Sequence, residues 1–173
     1  MPCIVADTSP LFYLAALGHL SLLPKLYGRV TVPDSVWAEA LIGDSEIPDT
    51  KPALEAARES GWIIVRPCVP PLIDLRLAEL DAGERDALTL AVTLRADLVI
   101  IDELEGRAAA ARLGLTITGT VGVLIEAKRR GLLPAIGPEL KRLQEETTFW
   151  LSRQMEQTAL RMAGEAPSPN PFP

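Results

Sequence analysis

Residues 96–107 read ADLVIIDELEGR. Leu98 to Ile101 are apolar without a break, so no wet face alternates with a dry one. A run like this suits a short strand buried on both sides, as in parallel sheets. It stops at Asp102, and EGRAAAARLG (105–114) then reads as a helix closed by Gly114. Upstream, CIVA (3–6) has the same build and runs into Asp7. An acid just past the end of a buried strand stands where open α/β sheets place their ligands.

Three further apolar runs, RVTV (29–32), WIIV (62–65) and LTIT (115–118), complete a set of predicted strands. Helical stretches fall between them. After Asp7, Thr8 or Ser9 is expected to cap a helix with Pro10 in its first turn and an apolar face of Leu11, Leu14, Ala15 and Leu17. PDSVWAEAL (33–41) opens a second, and Pro52 to Ser60 reads as another. GERDALTLA (83–91), continuing to about Arg95, and TVGVLIEAKRRG (120–131) follow. A helical segment is also expected around Leu72 to Leu80, and GDSEIPDT (43–50) as a polar loop. Strands that alternate with helices predict an α/β fold, a three-layer α/β/α sandwich around a mostly parallel sheet. Residues 1–135 form the expected domain, 136–163 a helical extension, and 164–173 (GEAPSPNPFP) a disordered tail.

The 173 residues suffice for one domain with a real core. A net charge of −6 argues against broad, sequence-independent nucleic-acid binding, which needs a basic surface. It leaves room for a nuclease whose acids are neutralised by bound metal. Cys3 and Cys68 are too few for a disulfide framework, and Cys3 is expected as a small core residue. No apolar run approaches a membrane span, and no basic region precedes the first apolar stretch. The expectation is a cytoplasmic protein that does not engage a membrane.

The chemistry lies in the acids. Asp7 and Asp102 share one placement, and if their strands are neighbours about 4.8 Å apart the two carboxylates come within metal-bridging range. Close carboxylates in a dry pocket need a proton, a cation or a basic partner, and a divalent cation meets that need. Glu39 lies at the edge of an apolar helix face. Glu84 and Asp86 compete for one role, because side chains two apart on a helix diverge by roughly 200°. The buried face runs through Ala87, Leu90, Ala91 and Leu94. Glu84 lies about 60° from its centre and Asp86 about 100°, so Glu84 is expected to point inward. Each acid has a plainer reading as a cap, a solvated helix residue or a favourable charge at a helix N-terminus. Glu103 as a second-metal contact, and Ser9, Thr118 and Thr120 as hydroxyls near the strand ends, are accessory candidates. Arg107 and Arg112 read as solvated helix arginines or as phosphate contacts. Lys128, Arg129 and Arg130 form the densest basic run, at a helix C-terminus where cations are favoured anyway. His19 is the one histidine, which excludes a two-histidine acid–base mechanism.

The ordered set VADTSPLFYL, VPDSVWAEAL, GERDALTLAV and ADLVIIDELEGR resembles the PIN domain. The likeness is to PIN-like proteins of the VapC toxin type, in a bacterial and archaeal branch, and covers roughly residues 3–132. The resemblance implies a metal-dependent endoribonuclease that cuts single-stranded RNA with Mg²⁺ or Mn²⁺, as the toxin of a toxin–antitoxin pair. By position it implies catalytic roles for Asp7, Glu39, Glu84 and Asp102, with Asp7, Glu84 and Asp102 as metal ligands and Ser9 as the nearby hydroxyl. Glu84 departs from the pattern, which has aspartate there, and Asp86 is its alternate. The expected partners are RNA, an antitoxin protein and a second copy of the chain.

The main alternative is a PIN-like binding module that has lost efficient catalysis and acts through protein partners. A phosphohydrolase of the haloacid type is weakened because Asp7 lacks a second aspartate two residues on. A Rossmann or P-loop nucleotide binder is weaker still, since no glycine-rich loop follows either strand.

Overall fold

The structure, a computed structural model, describes residues 1–43, 50–67, 77 and 79–165. Most of the loop expected at 43–50, most of the segment expected at Leu72 to Leu80, Cys68 and the tail beyond Glu165 lie outside the described residues.

Among the described residues, five short strands form one sheet: β1 (Ile4–Ala6), β2 (Val30–Pro33), β3 (Ile63–Arg66), β4 (Leu98–Ile100) and β5 (Ile117–Thr118). Every pairing is parallel, and the order is β3-β2-β1-β4-β5. The two central strands account for the unbroken apolar runs. Val5, Ala6, Val99 and Ile100 are wholly buried, because helices cover both faces of the sheet there. The α/β/α architecture expected from strand–helix alternation is therefore the one observed.

The connections are α1 (Thr8–Ala16) and α2 (Leu22–Tyr27) after β1, then α3 (Asp34–Ile42) and α4 (Lys51–Glu59) after β2. The helix α5 (Ala82–Leu94) precedes β4, and α6 (Leu104–Arg112) joins β4 to β5. Beyond β5 come α7 (Thr120–Arg129), α8 (Gly137–Glu146) and α9 (Arg153–Met162). Among the described residues, no helix is long and apolar enough to cross a membrane.

Two local readings change. The N-cap of α1 is Asp7, not Thr8 or Ser9, and both of those residues lie inside its first turn. Cys3 precedes β1 and is half-buried rather than a core residue, with its backbone N–H donating to the Asp97 carboxylate at 2.7 Å. His19, in the turn between α1 and α2, places Nε2 2.8 Å from Glu139 Oε2 on α8.

Helices α7 and α8 are fastened by Glu165. Its carboxylate accepts from Ile136 N at 2.6 Å, from Gly137 N at 3.0 Å and from Lys128 Nζ at 2.9 Å. One side chain thus satisfies the open N-terminus of α8 and the last turn of α7. Burial raises the Glu165 pKa, but these three donors outweigh it and hold the carboxyl below its usual range. Glu165→Ala removes the acceptor for all three donors and is expected to lower stability by about 1–3 kcal/mol, measured by urea unfolding.

Candidate active site

β1 and β4 lie side by side where the strand order reverses. The chain leaving β1 goes to β2 on one side, and the chain leaving β4 goes to β5 on the other. A crevice opens at this switch point, beyond the carboxyl ends of the two strands. Asp7 stands at the end of β1 with 3% of its surface exposed, and its N–H donates to Ile100 O at 3.0 Å. The register pairs Ala6 with Ile100, so Asp7 is level with Ile101 and Asp102 lies one residue further out.

That one-residue stagger separates the two acids' partners. Asp102 turns to the start of α7. Its Oδ1 accepts from Thr120 N at 2.7 Å and its Oδ2 from Thr120 Oγ1 at 2.6 Å. Asp7 instead feels Asp81, Glu84 and Glu39 as its principal neighbouring charges.

The remaining acids are carried by α3 and α5. Glu39, on α3, is exposed, and its Oε2 accepts from Thr8 Oγ1 at 3.1 Å. The helix α5 opens with a capping box: Glu84 N donates to Asp81 Oδ1 at 2.8 Å, and Asp81 N donates to Glu84 Oε2 at 3.4 Å. Glu84 is buried, 5% exposed, as its angle on the helix predicts. Asp86 is half-buried and accepts from Ser35 Oγ at 2.7 Å.

Three glycines make room for these carboxylates. A Cβ at Gly83 would sit 2.8 Å from Glu39 Oε2, 3.6 Å from Asp81 Oδ1 and 3.8 Å from Asp7 Oδ1, so oxygens from three separate segments converge there. A Cβ at Gly106 would sit 2.8 Å from Glu84 Oε1, and one at Gly119 would sit 2.6 Å from Asp102 Oδ1.

The crowding shows in the proton affinities. Burial, then the charges of Asp81, Glu84 and Glu39, pushes the Asp7 carboxyl up to about 7, against a hydrogen bond from Thr8 N–H that lowers it. Glu84 is raised by burial and by Asp81, Glu103 and Glu105. Asp102 is raised by burial even though the Thr120 hydrogen bonds and Arg107 oppose that.

The structure thus gathers Asp7, Glu39 and Asp81 around one point and sets Glu84 beside them against α6. Asp102 stays on the neighbouring strand end, engaged with Thr120. Among the described residues, no three of these groups stand together in metal-holding range. The donor set is nevertheless all carboxylate oxygen, which fits a hard divalent cation such as Mg²⁺ or Mn²⁺. Of the accessory candidates, Thr120 is wholly buried on Asp102, Ser9 is half-buried in the first turn of α1, and Glu103 is the exposed N-cap of α6. Asp81 is not among the site residues the sequence indicates, and Thr8 is expected only as a cap. DAGE (81–84) carries a capping-box signature that points to Asp81; Thr8 has no comparable signal.

A family model described as a PIN domain matches residues 3–165. The chain belongs to the PIN-domain family. Members of the family are generally nucleases that use divalent metals. A PilT N-terminus domain protein from the hyperthermophilic archaeon Sulfolobus solfataricus P2 shares the fold, with a TM-score of 0.51 and 19% identity, over 72% of this chain and 92% of that one. No curated protein matches the chain.

Two outcomes test this PIN-domain site. Because the Asp7 carboxyl rises from an ordinary 3.8 to about 7 on folding, the native state binds the extra proton between those values. Stability therefore falls as pH climbs from about 4 to about 7 and is flat above. In EDTA, Asp7→Asn is expected to stabilise the protein by more at pH 8 than at pH 5, read from urea unfolding. Gly106→Ala would put a methyl group 2.5 Å from Ile101 Cδ1 and 2.8 Å from Glu84 Oε1. It is expected to cost about 1–3 kcal/mol and to displace Glu84, measured as a lower Tm and weaker Mn²⁺ binding.

Proposed function

We propose that this PIN-domain protein is a metal-dependent endoribonuclease acting on single-stranded RNA, the toxin of a toxin–antitoxin pair. The observation that carries the reading is the convergence of Glu39, Asp81 and Asp7 oxygens beside Gly83, at the switch point between β1 and β4. Carboxylates crowded in this way, with that of Asp7 pushed up to about 7, suit a site that receives a cation.

In this reading Asp7, Glu84 and Asp102 would hold Mg²⁺ or Mn²⁺, directly or through water. Such an ion would supply a water of lowered pKa and offset charge on the phosphate. Glu39, the exposed member, accepts the proton of the attacking water, and Thr8 Oγ1 steadies its carboxylate. The water oxygen bonds to phosphorus, the bond from phosphorus to the leaving oxygen breaks, and that oxygen takes a proton from solvent. Thr120 keeps Asp102 fixed from behind by two hydrogen bonds.

The alternative of a binding module without catalysis draws on the net charge of −6 and on the Thr120 engagement of both Asp102 oxygens. A ribonuclease assay with Mn²⁺ separates the two. Asp7→Asn and Asp102→Asn are each expected to reduce cleavage at least about 100-fold, the scale of losing a principal catalytic interaction. Glu84→Gln is expected to be more damaging than Asp86→Asn. Equal cleavage by wild type and both aspartate variants would remove the catalytic assignment, and the reverse order at 84 and 86 would move the third ligand to Asp86.

A further inference from the structure

We infer that Arg107 is the phosphate-binding residue of this site, receiving a phosphodiester of the bound single strand; the inference rests on the nuclease reading. With a net charge of −6 the chain has no overall excess of cations to draw in RNA, which gives weight to individual cations close to the acids. The densest basic run does not supply one. Arg129 and Arg130 donate to the Glu126 carboxylate at 2.8 and 2.7 Å, and Lys128 donates to Glu165 at 2.9 Å.

Arg107 differs from them in both place and engagement. It lies in the turn of α6 that follows Asp102, half-buried, next to the Gly106 that faces Glu84. Its Nη1 donates to Ile101 O at 2.9 Å, which pins the guanidinium to the end of β4. The position of a Gly119 Cβ is 3.0 Å from Arg107 Nη1 and 2.6 Å from Asp102 Oδ1, so cation and acid border one small space. Among the described residues the guanidinium forms no ion pair. A guanidinium carries five N–H donors, and the bond to Ile101 O uses one. The rest form a planar fork of the shape that grips two phosphate oxygens at once. Held at the strand end rather than swinging in solvent, the fork loses little freedom on binding.

The test measures binding of a labelled single-stranded oligoribonucleotide by anisotropy across a salt series, with every variant built on Asp7→Asn to block turnover. Arg107→Ala is expected to weaken binding about 10-fold and to reduce the slope of log affinity against log salt by about 0.7, the value for one phosphate contact to a single strand. Arg107→Lys keeps the charge without the fork, so it is expected to restore the slope and only part of the affinity. Lys25→Ala removes one charge from an exposed position on α2 and is expected to change neither. An unchanged slope in Arg107→Ala, or an equal fall in Lys25→Ala, overturns the assignment. Wild-type cleavage with Mn²⁺ is measured alongside: its absence overturns the nuclease reading itself, whereas cleavage with an unchanged Arg107→Ala slope overturns the role of Arg107 alone.

Discussion

Like charges gathered at the ends of two buried parallel strands repel one another, and the chain around the crevice is shaped by that repulsion. Asp7 cannot move away, because the backbone at the end of β1 is hydrogen-bonded to β4. Asp81 and Glu84 sit at the start of α5, where the helix dipole favours negative charge. Asp102 relieves part of its burial by accepting both donors of Thr120. Gly83, Gly106 and Gly119 bring backbone close to carboxylate oxygens where any side chain would intrude. None of these devices cancels the charge on Asp7, whose carboxyl stays raised to about 7. A site left in that condition is stabilised by any cation that enters it, which links the cost of folding to the capacity to bind.

The sheet was legible because its central strands are buried on both faces and so read as unbroken apolar runs ending in an acid. DLVII and CIVA announce β4 and β1, and helix–strand alternation then leaves a parallel sheet as the simplest solution. The inward turn of Glu84 was legible too, since a helix converts sequence spacing into angle. Adjacency of the two strands is a condition that the β1–β4 pairing meets, but the one-residue stagger of Asp7 against Asp102 is not legible. Register depends on how two distant segments slide past each other, and no local pattern records it.

The glycines show the same limit from the other side. Gly83, Gly106 and Gly119 have ordinary negative backbone angles, so no turn signature marks them. Their purpose lies in what approaches from elsewhere in the chain. Arg107 is similar: as a residue of α6 it reads like any solvated arginine, and only the carbonyl of Ile101 distinguishes it. The basic run at 128–130 is the converse case, conspicuous in sequence and committed to Glu126 and Glu165 in the fold.

The capping box of α5 has a consequence for ligand affinity. Glu84 closes that box through a long 3.4 Å acceptance from Asp81 N–H, while its other oxygen faces Gly106. Any ligand that recruits the Glu84 carboxylate competes with the helix for it. One hydrogen bond of this kind is worth about 0.5–1 kcal/mol, so its release lowers apparent affinity by roughly two- to fivefold. The first turn of α5 is thereby a built-in competitor, setting a threshold concentration below which the helix keeps its own glutamate.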